Sequence, residues 1–266
     1  MSLDLDDLER FALELAAAAA AETLPLFRTA LIAEDKGGAG FDPVTGADRG
    51  AEAAIRGLIA ERFPQHGVIG EEYGEDRSAA DFVWVLDPID GTRAYVAGLP
   101  VWTTLIALRQ AGEPVLGLVA QPYLGEVFIG SAAGARLVRA GQADRPLRVR
   151  PCARLTEAVI ATTDPDLFDG AELGSWRQVR AAARLARLGC DAYAYAMAAA
   201  GLIDLVIETG LKSWDVEAAV PLMQGAGGFV CDWRGRPIGR DGGQMALGGD
   251  RRCLDEALVT LKRSAR

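Results

Sequence analysis

The segment Asp87-Pro-Ile-Asp-Gly-Thr92 directly follows an apolar run, Phe82-Val-Trp-Val-Leu86. Two carboxylates three residues apart at a strand's end can converge on one hard cation, with Pro88 stiffening the turn and Gly91 permitting close backbone approach. A helix beginning at Gly91 or Thr92 would point its free N–H groups at a phosphate. The same residues also suit a plain structural use, in which Asp87 or Asp90 caps that helix or stabilises the turn. Three other acidic elements accompany them: Gly70-Glu71-Glu72 closing a short apolar element, Asp48 opening a helical stretch after Asp42-Pro-Val-Thr45, and Trp214-Asp215 before another helix. Taken singly, each reads as a cap or a solvated face.

Composition points the same way. The chain of 266 residues has 37 Asp and Glu against 28 Lys and Arg, a net charge of −9, and one histidine, His66. A Ser-His-Asp hydrolase would depend on that one imidazole, and a His-rich zinc or iron site cannot be assembled. The negative balance, without a basic patch, argues against a nucleic-acid partner. His66, in Pro64-Gln-His-Gly67, reads as an exposed turn residue. Cys152, Cys190, Cys231 and Cys253 form no CxxC pair and read as reduced, packed thiols. The N-terminus is acidic where a secretory signal would be basic, and no apolar stretch reaches the roughly 18 residues of a membrane span. A soluble, cytoplasmic protein with a small-molecule or cationic partner and no membrane contact is expected.

The elements that must carry these residues follow from periodicity. An alanine-rich helix is expected from Leu3 to about Ala33, kinked or divided at Pro25, and a second over Asp48 to Arg62. After Val68-Ile69-Gly70, strand patterns at Phe82–Leu86, Thr103–Leu108, Pro114–Ala120 and Glu126–Gly130 predict an antiparallel meander. Beyond the Arg-rich stretch Arg145 to Arg150 the expectation is a strand at Ala158–Ala161, a helix over Trp176–Leu188, a helix near Tyr193–Ala200, a strand at Leu205–Glu208 and a helix after Asp215. A boundary near 150 divides the chain into 1–150 and 151–266.

Taken together, Gly70-Glu71-Glu72, Asp87-Pro-Ile-Asp-Gly-Thr92 and Trp214-Asp215 followed by Gly225-Ala-Gly-Gly228 give a chain that resembles, over nearly its full length, the inositol monophosphatase superfamily of magnesium-dependent phosphatases. The resemblance implies an α/β layered fold, an αβαβα sandwich like that of fructose-1,6-bisphosphatase and inositol monophosphatase. It has a large antiparallel sheet, a second, smaller mixed sheet, an N-terminal metal-binding half and a C-terminal half completing the site. It implies two or three Mg2+ ions held by Glu71, Asp87, Asp90, Asp215 and the carbonyl of Ile89. Thr92 with Glu71 would orient and deprotonate the attacking water, Asp48 would support Thr92, and the Gly91 and Thr92 amides would hold the phosphate. Lys36 lies in the loop that helps control a third magnesium in this superfamily, or is simply solvated. A homodimer is implied as well. Gly46 departs from the larger residue that many relatives carry there, which bears on the loop's stiffness and not on the metal ligands. Magnesium prefers oxygen donors and lowers the pKa of bound water, so a shortage of histidine costs such an enzyme nothing.

The substrate would be a small phosphomonoester. Glu208, in Val206-Ile-Glu-Thr-Gly210, falls where superfamily members bind the leaving-group alcohol, and Asp191, in Gly189-Cys-Asp-Ala-Tyr193, falls where inositol monophosphatases carry a small residue. With Phe41-Asp-Pro-Val-Thr45 and Gly210-Leu-Lys-Ser-Trp-Asp215, these segments resemble the histidinol-phosphate phosphatase branch, whose place is histidine biosynthesis. Two carboxylates suit the ammonium and imidazole of L-histidinol phosphate better than a polyol. The plainer uses are a helix N-cap for Asp191 and a strand-end surface charge for Glu208. Tyr193 and Tyr195 are expected to pack between helix and sheet, and Lys212 either approaches phosphate or faces solvent. The alternatives are an inositol or similar polyol phosphatase, a nucleotide 3′-phosphatase or fructose-1,6-bisphosphatase, and, in another class, a non-catalytic metal-binding protein. Gly225-Ala-Gly-Gly228 follows a helix instead of opening one and so fails the dinucleotide fingerprint.

Overall fold

The computed structural model describes residues 5–29, 34–35 and 43–266. Helix α1 (Leu5–Thr23) is followed by β1 (Glu34–Asp35), β2 (Pro43–Val44), α2 (Gly46–Arg62), β3 (Gly67–Gly70), β4 (Gly74–Asp76), β5 (Phe82–Asp90), α3 (Thr92–Val96), β6 (Thr103–Gln110), β7 (Glu113–Gln121), β8 (Glu126–Ser131), β9 (Gly134–Val138) and β10 (Arg145–Pro146). Then come β11 (Val159–Thr162), α4 (Gly170–Ala182), β12 (Leu185–Leu188), α5 (Tyr193–Ala199), β13 (Leu205–Leu211), α6 (Ser213–Val216), α7 (Ala219–Gly225), β14 (Phe229–Cys231), β15 (Gly243–Gly248) and α8 (Arg251–Leu261).

Eight strands form one sheet in the order β10-β9-β8-β7-β6-β5-β3-β4, and five form another in the order β12-β11-β13-β15-β14. The meander from β5 to β9 is antiparallel. The pair β3 and β5 is parallel, so the large sheet is mixed where a purely antiparallel one is expected. The chain makes a hairpin from β3 into β4 and then crosses back past β3, so β5 enters on the other edge of β3 with the same heading. The smaller sheet is mixed as expected, parallel across β12, β11 and β13 and antiparallel to β15.

Period-two alternation sorts the side chains into layers. Trp84 and Leu86 of β5, with Ile106 and Leu108 of β6, pack against Leu8, Phe11, Leu15, Ile55 and Ile59 of α1 and α2. Val83, Val85, Leu105 and Ala107 point to the other face, where Tyr195, Leu222 and Met223 of α5 and α7 separate the two sheets. Trp176 and Val179 of α4, with Leu254 and Leu258 of α8, cover the far face of the second sheet over Ile160, Leu205 and Ile207. The layers therefore alternate α, β, α, β, α. Each fully buried Leu or Phe contributes about 1.5–3 kcal/mol relative to exposure.

Three local expectations are corrected. Helix α1 ends at Thr23, because Pro25 disfavours helical backbone in the residue before it and offers no amide. The stretch Trp176–Leu188 is not one helix: α4 stops at Ala182, and the amides of Arg184 and Leu185 both donate to the carbonyl of Ala158 as the chain turns into β12 beside β11. His66 is buried, stacked on Phe63 with ring centroids 4.5 Å apart and on Phe82 at 5.0 Å, and its Nδ1 accepts from Trp84 Nε1 at 3.1 Å. A polar turn motif carries no trace of aromatic neighbours that come from β5. Burial lowers the pKa of His66, which favours neutral imidazole. All four cysteines are free, and Cys152, Cys231 and Cys253 are buried. Among the described residues no helix is long and apolar enough to cross a membrane.

Candidate active site

Strand β5 runs past the apolar run as far as Asp90, and its pairing with β6 shifts register between Asp87 and Asp90. Such an irregularity re-aims side chains at a strand end. Asp87 and Asp90 then meet Asp215, which lies within α6 and not before it, with one carboxylate oxygen from each residue inside a common 4.8 Å. Each carboxylate is oriented by a further bond. Asp87 Oδ1 accepts from the Ile89 amide at 3.1 Å, Asp90 Oδ2 from the Ala192 amide at 2.7 Å, and Asp215 Oδ2 from the Lys212 amide at 2.6 Å.

Burial, and after it the charges of Glu71, Asp90 and Asp215, pushes the Asp87 carboxyl well above the usual carboxylate range. Asp90 is raised likewise by burial and then by Asp191 and Asp215. Burial lifts Asp215 to about 7 against the opposing hydrogen bond from the Lys212 amide. Acids packed this closely repel one another, and a divalent cation bound by hard oxygen donors relieves the repulsion. The donor set fits Mg2+ by its chemistry.

These acids line a cleft of about 300 Å3 together with Glu71, Ile89, Gly91, Thr92, Asp191 and Glu208. Gly91 has φ of 81° and leads into α3. Thr92 Oγ1 lies 3.0 Å from the Ile89 carbonyl and 3.5 Å from Asp48 Oδ1, so the nearer acceptor is Ile89. Asp48 is held in turn by Thr45, whose amide and hydroxyl donate to Oδ2 at 2.8 and 2.6 Å. Burial pushes Asp48 up to about 6, the Thr45 bonds opposing.

Asp191 and Glu208 are drawn into the same cleft. Asp191 has φ of 44°, a left-handed backbone that Asp tolerates better than most residues. Its side chain caps no helix, since α5 has Ala192 at its N-cap without a side-chain bond. Burial raises it to about 6, against the nearby Arg93 guanidinium and with the help of Asp164. Glu208 is no surface charge: 2% exposed, it accepts from the Thr163 amide at 2.8 Å and from the Thr162 and Thr163 hydroxyls at 3.1 Å. Burial nonetheless lifts it to about 8. Tyr195 is buried on the cleft wall, while the Tyr193 hydroxyl donates to Glu126 at 2.7 Å. Lys212 lines an adjoining hollow with Ile69, Arg109 and Trp214. Lys36 lies outside the described residues.

Sequence reasoning passed over Arg93 and Leu167 at the cleft and Glu52 behind it. Glu52 had a legible signal, its place one helical turn after Asp48. Leu167 had none, because an exposed leucine closing a single 3-10 turn looks alike wherever that turn goes.

Residues 4–263 match the model of the inositol monophosphatase family. The chain is 44% identical over 198 residues to the chloroplastic bifunctional phosphatase IMPL2 of Arabidopsis thaliana, a match covering 74% of this chain and 56% of that protein's length. It is 37% identical over 273 residues to a histidinol-phosphatase of Streptomyces coelicolor, covering 96% of each. Its fold superposes on that of an inositol monophosphatase from Zymomonas mobilis with a TM-score of 0.87, at 37% identity, over 98% of this chain and 99% of that one.

Proposed function

The chain belongs to the inositol monophosphatase family, and on that premise we propose that it is a magnesium-dependent phosphomonoesterase that hydrolyses L-histidinol phosphate to L-histidinol and phosphate. The observation that carries the choice of substrate is the pair Asp191 and Glu208, one half-buried and one buried carboxylate in the cleft that also holds Asp87, Asp90 and Asp215. A cationic alcohol would add a counter-charge beyond the Arg93 guanidinium that Asp191 faces and the Thr162 and Thr163 donors that Glu208 meets, whereas a neutral polyol adds none.

On this reading Glu71, Asp87, Asp90, Asp215 and the Ile89 carbonyl hold two or three Mg2+ ions. Bound there, magnesium supplies Lewis-acid polarisation of the phosphate and acidifies water. Thr92 and Glu71 orient the attacking water and take its proton, and Asp48 steadies the Thr92 hydroxyl. The amides of Gly91 and Thr92 hold the phosphate oxygens. Asp191 and Glu208 receive the ammonium and imidazole of the leaving alcohol. The half spanning 1–150 thereby contributes most of the metal donors, and the half spanning 151–266 contributes Asp215 and the substrate contacts.

Phosphate release with Mg2+ from histidinol phosphate, myo-inositol 1-phosphate, a nucleoside 3′-phosphate and fructose 1,6-bisphosphate tests this directly. The highest kcat/KM is expected for histidinol phosphate. A preference for myo-inositol phosphate would replace it with the second reading, an inositol monophosphatase, which the likeness to the Zymomonas mobilis enzyme favours.

A further inference from the structure

Helix α2 carries two buried carboxylates four residues apart, Asp48 and Glu52, at 1% and 0% exposure. That spacing sets them one above the other on a single face. Asp48 faces Thr92. Glu52 faces the turn after β3, where it accepts from the Glu72 amide at 2.8 Å and the Tyr73 amide at 3.2 Å. Arg56, the next turn along, donates its Nε to Glu52 at 2.7 Å and reaches the Gly74 carbonyl. On the other side of the turn, Gly70 lies so close that a methyl there would overlap the Glu52 carboxylate. Glu71, between Gly70 and Glu72, adds one tie of its own, its amide donating to the Leu86 carbonyl at 3.3 Å.

We propose that Glu52 is a positioning residue for Glu71: it clamps the backbone on both sides of Glu71 and, with Asp48, makes α2 the ruler that sets Glu71 against Thr92. The proposal rests on the reading of Glu71 as a metal- and water-holding group. A carboxylate suits the task because both of its oxygens can accept, and here they meet two amides and one guanidinium. Glutamine at this position would turn an NH2 group toward one of those donors. A residue that merely tied α2 to the sheet would change the melting temperature and leave metal affinity in the folded protein untouched.

The test is Mg2+ affinity by titration calorimetry on full-length wild type, Glu52→Gln, Gly70→Ala, the double variant and Glu71→Gln, with circular dichroism reporting the fold. Glu52→Gln is expected to weaken Mg2+ binding about 10–100-fold, the range for residues that orient a metal ligand, and to lower kcat while KM for the phosphoester at saturating Mg2+ stays near wild type. Gly70→Ala displaces the same carboxylate without changing any charge, so it should produce a similar loss, and the double variant should lose little more. It also carries the test alone should Glu52→Gln not fold. Wild-type affinity in folded Glu52→Gln or Gly70→Ala, alongside a loss in Glu71→Gln, overturns the proposal and leaves the reading of the site standing. Unchanged affinity in Glu71→Gln overturns that reading and the proposal with it.

Discussion

The Asp191 side chain fills the space that a Cβ on Gly91 would need: its Cγ and Oδ2 lie 3.0 Å from that position. Residue 91 must also keep φ of 81°. Gly91→Ala therefore meets two penalties, a left-handed backbone costing about 1–2 kcal/mol and a tight contact with the Asp191 carboxylate, which has to give way. The expected result is a lower melting temperature together with near-complete loss of phosphatase activity. Adding Asp191→Ala should restore part of the stability, and an unchanged melting temperature in the double variant would show that the contact is not felt.

Asp191→Ala on its own separates substrate contact from structure. Losing one partner of a hydrogen-bonded charge pair in the bound complex costs about 2 kcal/mol, so KM for histidinol phosphate should rise about 30-fold. Hydrolysis of an aryl phosphate whose leaving group carries no charge should change far less. Equal losses on the two substrates would mean that Asp191 serves the fold alone.

Asp87→Ala and Asp90→Asn should abolish turnover of both substrates. Asp90→Asn should also raise the melting temperature of the metal-free protein, by about 2–4 °C for each 1 kcal/mol gained, because it removes one of several mutually repelling buried acids. The stabilisation that Mg2+ gives to wild type should vanish in the same variant. Scanning calorimetry with and without Mg2+ reads both effects, and a variant still stabilised by Mg2+ would exclude Asp90 from the metal site.

Glu208 predicts a pH dependence of stability. Its carboxyl is lifted by burial from 4.5 to about 8, so between those values the folded chain keeps a proton that the unfolded chain has released. Stability from this group is complete below about pH 4.5 and is lost as pH rises toward 8. Asp191, Cys190 and Tyr195 surround it and titrate in the same environment, so the comparison must be with Glu208→Gln. Melting temperatures between pH 5 and 8 should fall more steeply for wild type than for this variant. Parallel profiles would place the Glu208 pKa near that of an ordinary glutamate.

Much of this protein was legible in its residues. Alternating apolar positions predicted β5 through β8, and the paired carboxylates Asp87 and Asp90 at a strand's end pointed to hard-cation chemistry, to which the family resemblance added Asp215. Such patterns are local: a strand's period, a cap or a turn is written within a few residues of itself. Tertiary structure decided what depends on distant partners. The parallel pairing of β12 with β11 took four residues from an expected helix, and three aromatic rings buried His66. Packing against Gly91 and the threonine cradle at residues 162–163 turned Asp191 and Glu208 from a cap and a surface charge into the walls of a cleft. A carboxylate's spacing along the chain says which neighbours it has in its own element. Burial and the charges facing it, which set its protonation and its partners, come only from elements the chain brings back to it.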